Sequence, residues 1–130
     1  MLAVGLGLVS LPSSWTSAGS DCEGTTVQIT ACLEREYRDL DSRLNRLYTR
    51  ILDGLGSPGK RVDPIRKPDT RELFVNAHRT WLAFRDQECK ARQSYFSEGS
   101  MGKVELMECR IELTKDRITL LENWLELLGR

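Results

Sequence analysis

The sequence predicts an all-α fold, an antiparallel bundle of three long helices stapled by two disulfides. Three observations predict it. Three stretches place apolar residues every three or four positions, and no Val/Ile/Thr run alternates with period two. Glycine and proline clusters fall between those stretches, at Gly56–Pro68 and around Gly99. Four cysteines sit where a helical hairpin and an N-terminal staple would pair them.

The N-terminal stretch reads as an export signal. Leu2 to Val9 is apolar, and Leu11-Pro12 and the small residues Thr16-Ser17-Ala18-Gly19 follow. An apolar core followed by small residues is the pattern of a cleaved secretory peptide, and this core is too short to span a membrane. No Lys or Arg precedes it. The reading assigns residues 1–18 to the leader and 19–130 to a single helical domain. Asp21 directly before Cys22 does not suit lipoprotein processing, so no lipid anchor is expected.

The first helix is expected from Thr26 to about Leu55. Ile29, Leu33, Tyr37, Leu40, Leu44, Leu47, Ile51 and Leu55 form one stripe along it. Arg35, Arg38, Arg43, Arg46 and Arg50, with Glu34 and Asp39, fill much of the remaining surface. Gly54 and Gly56 end it. The connector Gly56–Pro68 is the longest loop and carries Lys60, Arg61, Arg66 and Lys67. Asp69 then caps a second helix, with Glu72 placed as in a capping box. Its expected core-facing stripe is Leu73, Ala77, Trp81 and Phe84, with Phe74 and Leu82 beside it. The helix runs on to Tyr95 and Phe96 and breaks at Gly99. Ser100 is the expected cap of the third helix. There Val104, Met107, Ile111, Thr114, Ile118, Leu121, Leu125 and Leu128 alternate three and four steps, and Gly129 follows as a C-terminal cap. Each helix has roughly 25 to 30 residues, so the bundle is about 40 Å long.

Cys89 and Cys109 are equidistant from Gly99. If Gly99 is a hairpin turn, the two face each other at one height and can bond. Cys22 and Cys32 then pair by exclusion. The spacings lack the close Cys-x2-4-Cys pairs of structural zinc sites. Disulfides imply an oxidising compartment, periplasmic or extracellular.

The chemistry-bearing residues are few. Of 130 residues, 40% are hydrophobic and 29% charged, and 19 Lys and Arg balance 19 Asp and Glu. Zero net charge argues against a nucleic-acid partner. His78 is the lone histidine and lies at the edge of the second helix's stripe, with no adjacent nucleophile or second ligand. No phosphate loop, metal motif or dinucleotide fingerprint occurs. The sequence therefore assigns no catalytic residue, cofactor or metal. Polar residues set among the apolar stripes are more informative, because buried polar groups need partners. Asn45, Tyr48, Arg85, Asp86 and Arg117 are the expected members of an inter-helix network. Such a network fixes helix register rather than performing chemistry.

Three motifs resemble one family. Asp41-Ser42-Arg43-Leu44-Asn45-Arg46-Leu47-Tyr48 is similar to its D-x-x-L-N-x-x-Y helix. The stretch from Trp81 to Cys89 resembles its W-x-x-F-R-D-x-x-C signature. Gly99-Ser100, Cys109 and Leu113-Thr114-x-x-Arg117 resemble its closing G-S…C…L-T-x-x-R. Cys22 and Cys32 sit where its first cysteine pair does. The family is the LprI-like lysozyme inhibitor domain, and the likeness runs from about Asp21 to Leu128. It implies a small exported bacterial protein, disulfide-stapled and non-catalytic, that blocks lysozyme action on peptidoglycan. The alternative is a cell-envelope interaction module with another exported protein or the wall as partner. The sequence assigns no binding residue. Contacts are expected at a protruding loop, Gly56–Pro68 or Glu98–Gly102.

Overall fold

A computed structural model describes residues 21–56, 69–96 and 99–129. They form three helices, α1 (Thr26–Leu55), α2 (Thr70–Tyr95) and α3 (Ser100–Leu128), with no strand among the described residues. The expected leader 1–18 lies outside the described residues. So do positions 57–68 of the long connector, and Ser97 and Glu98 at the second turn.

Local chemistry sets the helix ends. The Thr25 hydroxyl accepts from the Gln28 N–H, and the Gln28 side chain accepts from the Thr25 N–H at 2.9 Å. This reciprocal pair satisfies donors that the first turn leaves open. Gly56, at φ 79°, ends α1 in a conformation that other residues adopt only under strain. At Gly54 an added Cβ would stand 2.9 Å from Cδ1 at the tip of the exposed Leu128 side chain, which can move aside, so this glycine marks where the ends of α1 and α3 meet. The Asp69 side chain accepts from the Arg71 N–H at 3.0 Å and starts α2. At the third helix Gly99, not Ser100, occupies the cap position, and no side chain caps it.

The chain runs up, down and up, so sequence neighbours are antiparallel and α1 and α3 are parallel. Lys115 bonds Glu36 at 3.2 Å and Arg43 bonds Glu122, and both pairs join residues 79 apart. A constant offset is what two parallel helices in fixed register give. α1 packs closely on α3 along its length, whereas the backbone of α2 lies nearer to α3 than to α1, which it meets through side chains.

Two apolar clusters fill the interior. Leu33, Val104, Met107 and Ile111 form one near the start of α1. Leu44, Leu47, Ile51, Phe74, Ile118 and Leu121 form the larger one toward its end. The stripes read from α1 and α3 supply nearly all of both. Cys22–Cys32 and Cys89–Cys109 are bonded, with Cα atoms 5.7 and 5.5 Å apart. Both staples hold the end of the bundle where α1 and α3 begin.

The stripe of α2 differs from the sequence expectation. Leu73 and Phe84 are about half exposed, at 53% and 51%, and Ala77 is exposed too. The buried residues are Phe74, His78, Arg85 and Cys89, with Trp81 half-buried among them. The true stripe steps four, three, four and four. Two of its members are polar, so counting apolar residues passes over it and settles one position away. Stepping back from Cys89, which the disulfide turns toward α3, gives Arg85, Trp81, His78 and Phe74.

Cys89 and Cys109 are fully buried beside the turn they close. Replacing both by alanine is expected to lower the unfolding free energy by about 3 kcal/mol, the chain-entropy value for a loop of this size. Urea unfolding of the oxidised wild type and the double variant measures it. An equal midpoint would show that the helices fix this hairpin unaided.

Candidate functional site

Between the two apolar clusters lies a polar layer built around Arg85. Its guanidinium donates to Asp41 of α1 at 3.1 Å and to the Thr114 hydroxyl of α3 at 3.1 Å. Arg85 is 6% exposed and Thr114 is fully buried. One side chain of α2 thus bonds both other helices at a single level. Asp41 retains a solvent-facing edge, with its side chain 35% exposed, so the pair is not sealed from water.

Aromatic rings extend this layer into a column. Arg85 lies over Tyr37 at 5.4 Å and over Trp81 at 4.9 Å. Arg110 covers Tyr37 at 5.7 Å, and Arg117 covers Trp81 at 5.6 Å. Beyond Trp81 come His78, Tyr48, Phe74 and Trp124, with successive ring centroids 5.9, 4.2, 5.5 and 5.3 Å apart. The ring faces are electron-rich, so they offset part of the cost of holding three guanidinium groups close together. The Nε atoms of Arg85, Arg110 and Arg117 have no hydrogen-bond partner among the described residues.

The column shifts the titration of its members. Burial lowers His78 to about 4, helped by the charges of Arg117 and Arg85 and opposed by Asp41. Burial also lowers Arg117. Tyr37 is raised, chiefly by burial, with Arg85 acting the other way. At neutral pH His78 is an uncharged ring stacked between Tyr48 and Trp81. Its Nδ1 has no hydrogen-bond partner among the described residues, and its ring stacks on both neighbours.

Of the expected network, Arg85, Arg117 and Tyr48 stand in the column. Tyr48 acts there through its ring face. Asn45 and Asp86 are exposed and stand outside it. Each follows an inward residue, Leu44 or Arg85, by one step, and a step of about 100° turns it to solvent. Asp41 takes the role expected of Asp86. The layer's remaining members, Tyr37, Asp41, His78, Arg110 and Thr114, were not assigned to the network from sequence. Asp41 carried a usable signal, being four residues beyond Tyr37 on the same face. Among the described residues no group of His, Cys, Asp or Glu could hold a metal, and no helix is long and apolar enough to cross a membrane.

The surface carries exposed apolar side chains at one end. At the stapled end Val27, Tyr95, Phe96 and Met101 are 79%, 86%, 48% and 61% exposed. Tyr95 and Phe96 meet edge to face at 5.3 Å. Next to them Thr26, Val27, Thr30, Ala31, Glu34, Gly99, Ser100 and Lys103 line a shallow recess between the starts of α1 and α3. Exposed aromatic and Met side chains on a rigid frame are typical anchors of protein interfaces. This tip includes Gly99–Gly102, the described part of one of the two loops expected to carry contacts. Among the other loop's residues only Gly56 is described.

Two measurements check the polar layer. Arg85→Met leaves Asp41 and Thr114 without their shared donor. Removal of one partner from a buried pair costs about 3–5 kcal/mol, and the exposed edge of Asp41 reduces the expected loss to about 2 kcal/mol in chemical unfolding. The second concerns pH. His78 binds its proton near 6.5 when unfolded and near 4 when folded. Between those values the unfolded chain holds more protons, so stability is full above about pH 6.5 and falls as pH drops toward 4. The full loss is roughly 3 kcal/mol. Unfolding midpoints of wild type and His78→Gln at pH 7.5 and 4.5 should show a smaller decline in the variant. Parallel declines would remove His78 as the cause.

Comparison with known proteins places these features. Residues 17–121 match the family described as "Lysozyme inhibitor LprI". The chain is 25% identical over 119 residues to "Uncharacterized protein R02472" of Rhizobium meliloti (strain 1021), covering 88% of this chain and 86% of that protein. It is 31% identical over 86 residues to "Uncharacterized protein YecT" of Escherichia coli (strain K12), covering 62% of this chain and about half, 49%, of that protein. No solved structure matches. The family match spans both disulfides, the residues of the polar layer and the exposed tip, and the chain belongs to the LprI family.

Proposed function

We propose that this protein is an exported, non-catalytic inhibitor that blocks lysozyme by seating its stapled tip against the enzyme. The family match over residues 17–121 carries the reading. Two bonded cysteine pairs support export to an oxidising compartment, periplasmic or extracellular, with residues 1–18 as the cleaved leader. The interior supports a binding role over a catalytic one. Its polar residues are engaged in holding helices together, as Arg85 does with Asp41 and Thr114.

The tip has the composition and rigidity of a binding surface. Tyr95, Phe96 and Met101 flank a turn closed by Cys89–Cys109, while Val27 stands near the Cys22–Cys32 staple. A surface held in its binding conformation loses little freedom on association, and affinity gains accordingly. A narrow helical end can enter a cleft that a broad face cannot.

A second reading, an envelope module for another exported protein, draws on the outer face of α2. Leu73 and Phe84 are half exposed there, away from the tip. The two readings separate in one assay.

Lysozyme-driven clearing of a cell-wall suspension should slow in the presence of the purified, disulfide-bonded protein. The double variant Tyr95→Ala/Met101→Ala should need at least about tenfold more protein for the same effect, the loss of one or two interface anchors. No slowing by wild type at large molar excess would sink the inhibitor reading. Full activity of the double variant would move the contact elsewhere.

A further inference from the structure

On the flank of the bundle, Arg43, Arg46, Leu47 and Arg50 of α1 and Glu122 and Leu125 of α3 line a shallow groove. The arginines recur at three and four residues, so they form a row of roughly 10 Å along one face of the helix. Arg43 is bonded to Glu122. Arg46 and Arg50 are exposed and form no salt bridge with any described residue. The groove therefore carries three positive charges and one negative, in a chain whose overall charge is zero. Its floor is apolar, from Leu47, which is nearly buried, and Leu125, which is half-buried.

We propose that this groove binds the carboxylate-bearing peptide stems of peptidoglycan and holds the inhibitor at the wall. The observations point to an extended anionic chain. A guanidinium presents paired donors that match a carboxylate, and a row of them suits carboxylates that recur along a polymer. The aliphatic stems of Arg46 and Arg50, with the leucines beneath, give contact area to the uncharged parts of such a chain. The partner follows from the envelope location in the proposed function, and the inference rests on that location. The groove does not compete with the tip. Thr30 in the tip recess and Arg46 are 16 residues apart on one straight helix, roughly 24 Å. A protein seated on the tip thus leaves the groove open.

The test is co-sedimentation of the purified, disulfide-bonded protein with insoluble peptidoglycan sacculi. Wild type should sediment at low salt and be released as salt rises, because exposed charge pairs are screened. The double variant Arg46→Glu/Arg50→Glu should bind at least tenfold more weakly while keeping its helical circular dichroism. Sacculi whose carboxyls have been amidated should lose wild-type binding to the same degree. Three results would overturn the proposal: no sedimentation of wild type, equal sedimentation of the variant, or undiminished binding to amidated sacculi. Inhibition measured on a small soluble oligosaccharide substrate reads the tip alone. The variant should match wild type there, so failure of the groove and failure of the inhibitor reading are told apart.

Discussion

The structure depends on one buried guanidinium. Arg85 is the point at which all three helices are bonded together, through Asp41 on α1 and Thr114 on α3. The Cys89–Cys109 bond ties α2 to α3, and Arg85 together with the stack of Tyr48 on Phe74 and His78 ties it to α1. A shift of one turn would move Arg85 about 5.4 Å from its partners and leave a charge buried without them. The layer contributes less to stability than an apolar layer of equal volume would, since desolvating the charge offsets much of the attraction. Its contribution is to penalise every other register. The rings of Tyr37 and Trp81 narrow the choice further, because each lies close to two guanidinium groups.

This division of labour accounts for what the family motifs hold together. Asp41 comes from the first motif, Trp81, Arg85 and Cys89 from the second, and Cys109, Thr114 and Arg117 from the third. They are far apart in sequence and converge on one layer and the disulfide beside it. The motifs therefore specify how the helices lock. The exposed side chains of the stapled tip and the flanks lie outside that lock.

How much of this could be read from the sequence varied by element. α1 and α3 were legible because their inward positions are almost all apolar and recur without interruption. The disulfides were legible because Cys89 and Cys109 flank a glycine turn symmetrically. α2 was misread by one position because its inward face holds His78 and Arg85. A histidine and an arginine count as surface in any hydrophobicity pattern, and only their partners on other helices make burial affordable. Those partners, Asp41 and Thr114, are 44 and 29 residues from Arg85, beyond what local periodicity can relate. The tip was legible in part: the turn at Glu98–Gly102 was an expected place for contacts, but local periodicity did not show that the rings of Tyr95 and Phe96 beside it are exposed.

The misplaced stripe also bears on where binding can occur. Had Leu73, Ala77, Trp81 and Phe84 faced inward, α2 would present a polar outer surface. Instead the inward turn of His78 and Arg85 pushes Leu73 and Phe84 outward, and both are half exposed. The lock thus has a structural consequence beyond register, because it displaces apolar side chains onto the surface. A bundle built only for stability would bury them. Here a charged and aromatic column runs between the apolar clusters, and apolar side chains are left exposed at the tip, along α2, and on α3 at Leu120, Leu127 and Leu128. These are the places where a protein partner could gain most by excluding water. The arginine row on α1 lies apart from the tip, at the seam with α3. Surfaces of different chemistry are therefore carried on one frame, which the buried layer and the two disulfides hold together.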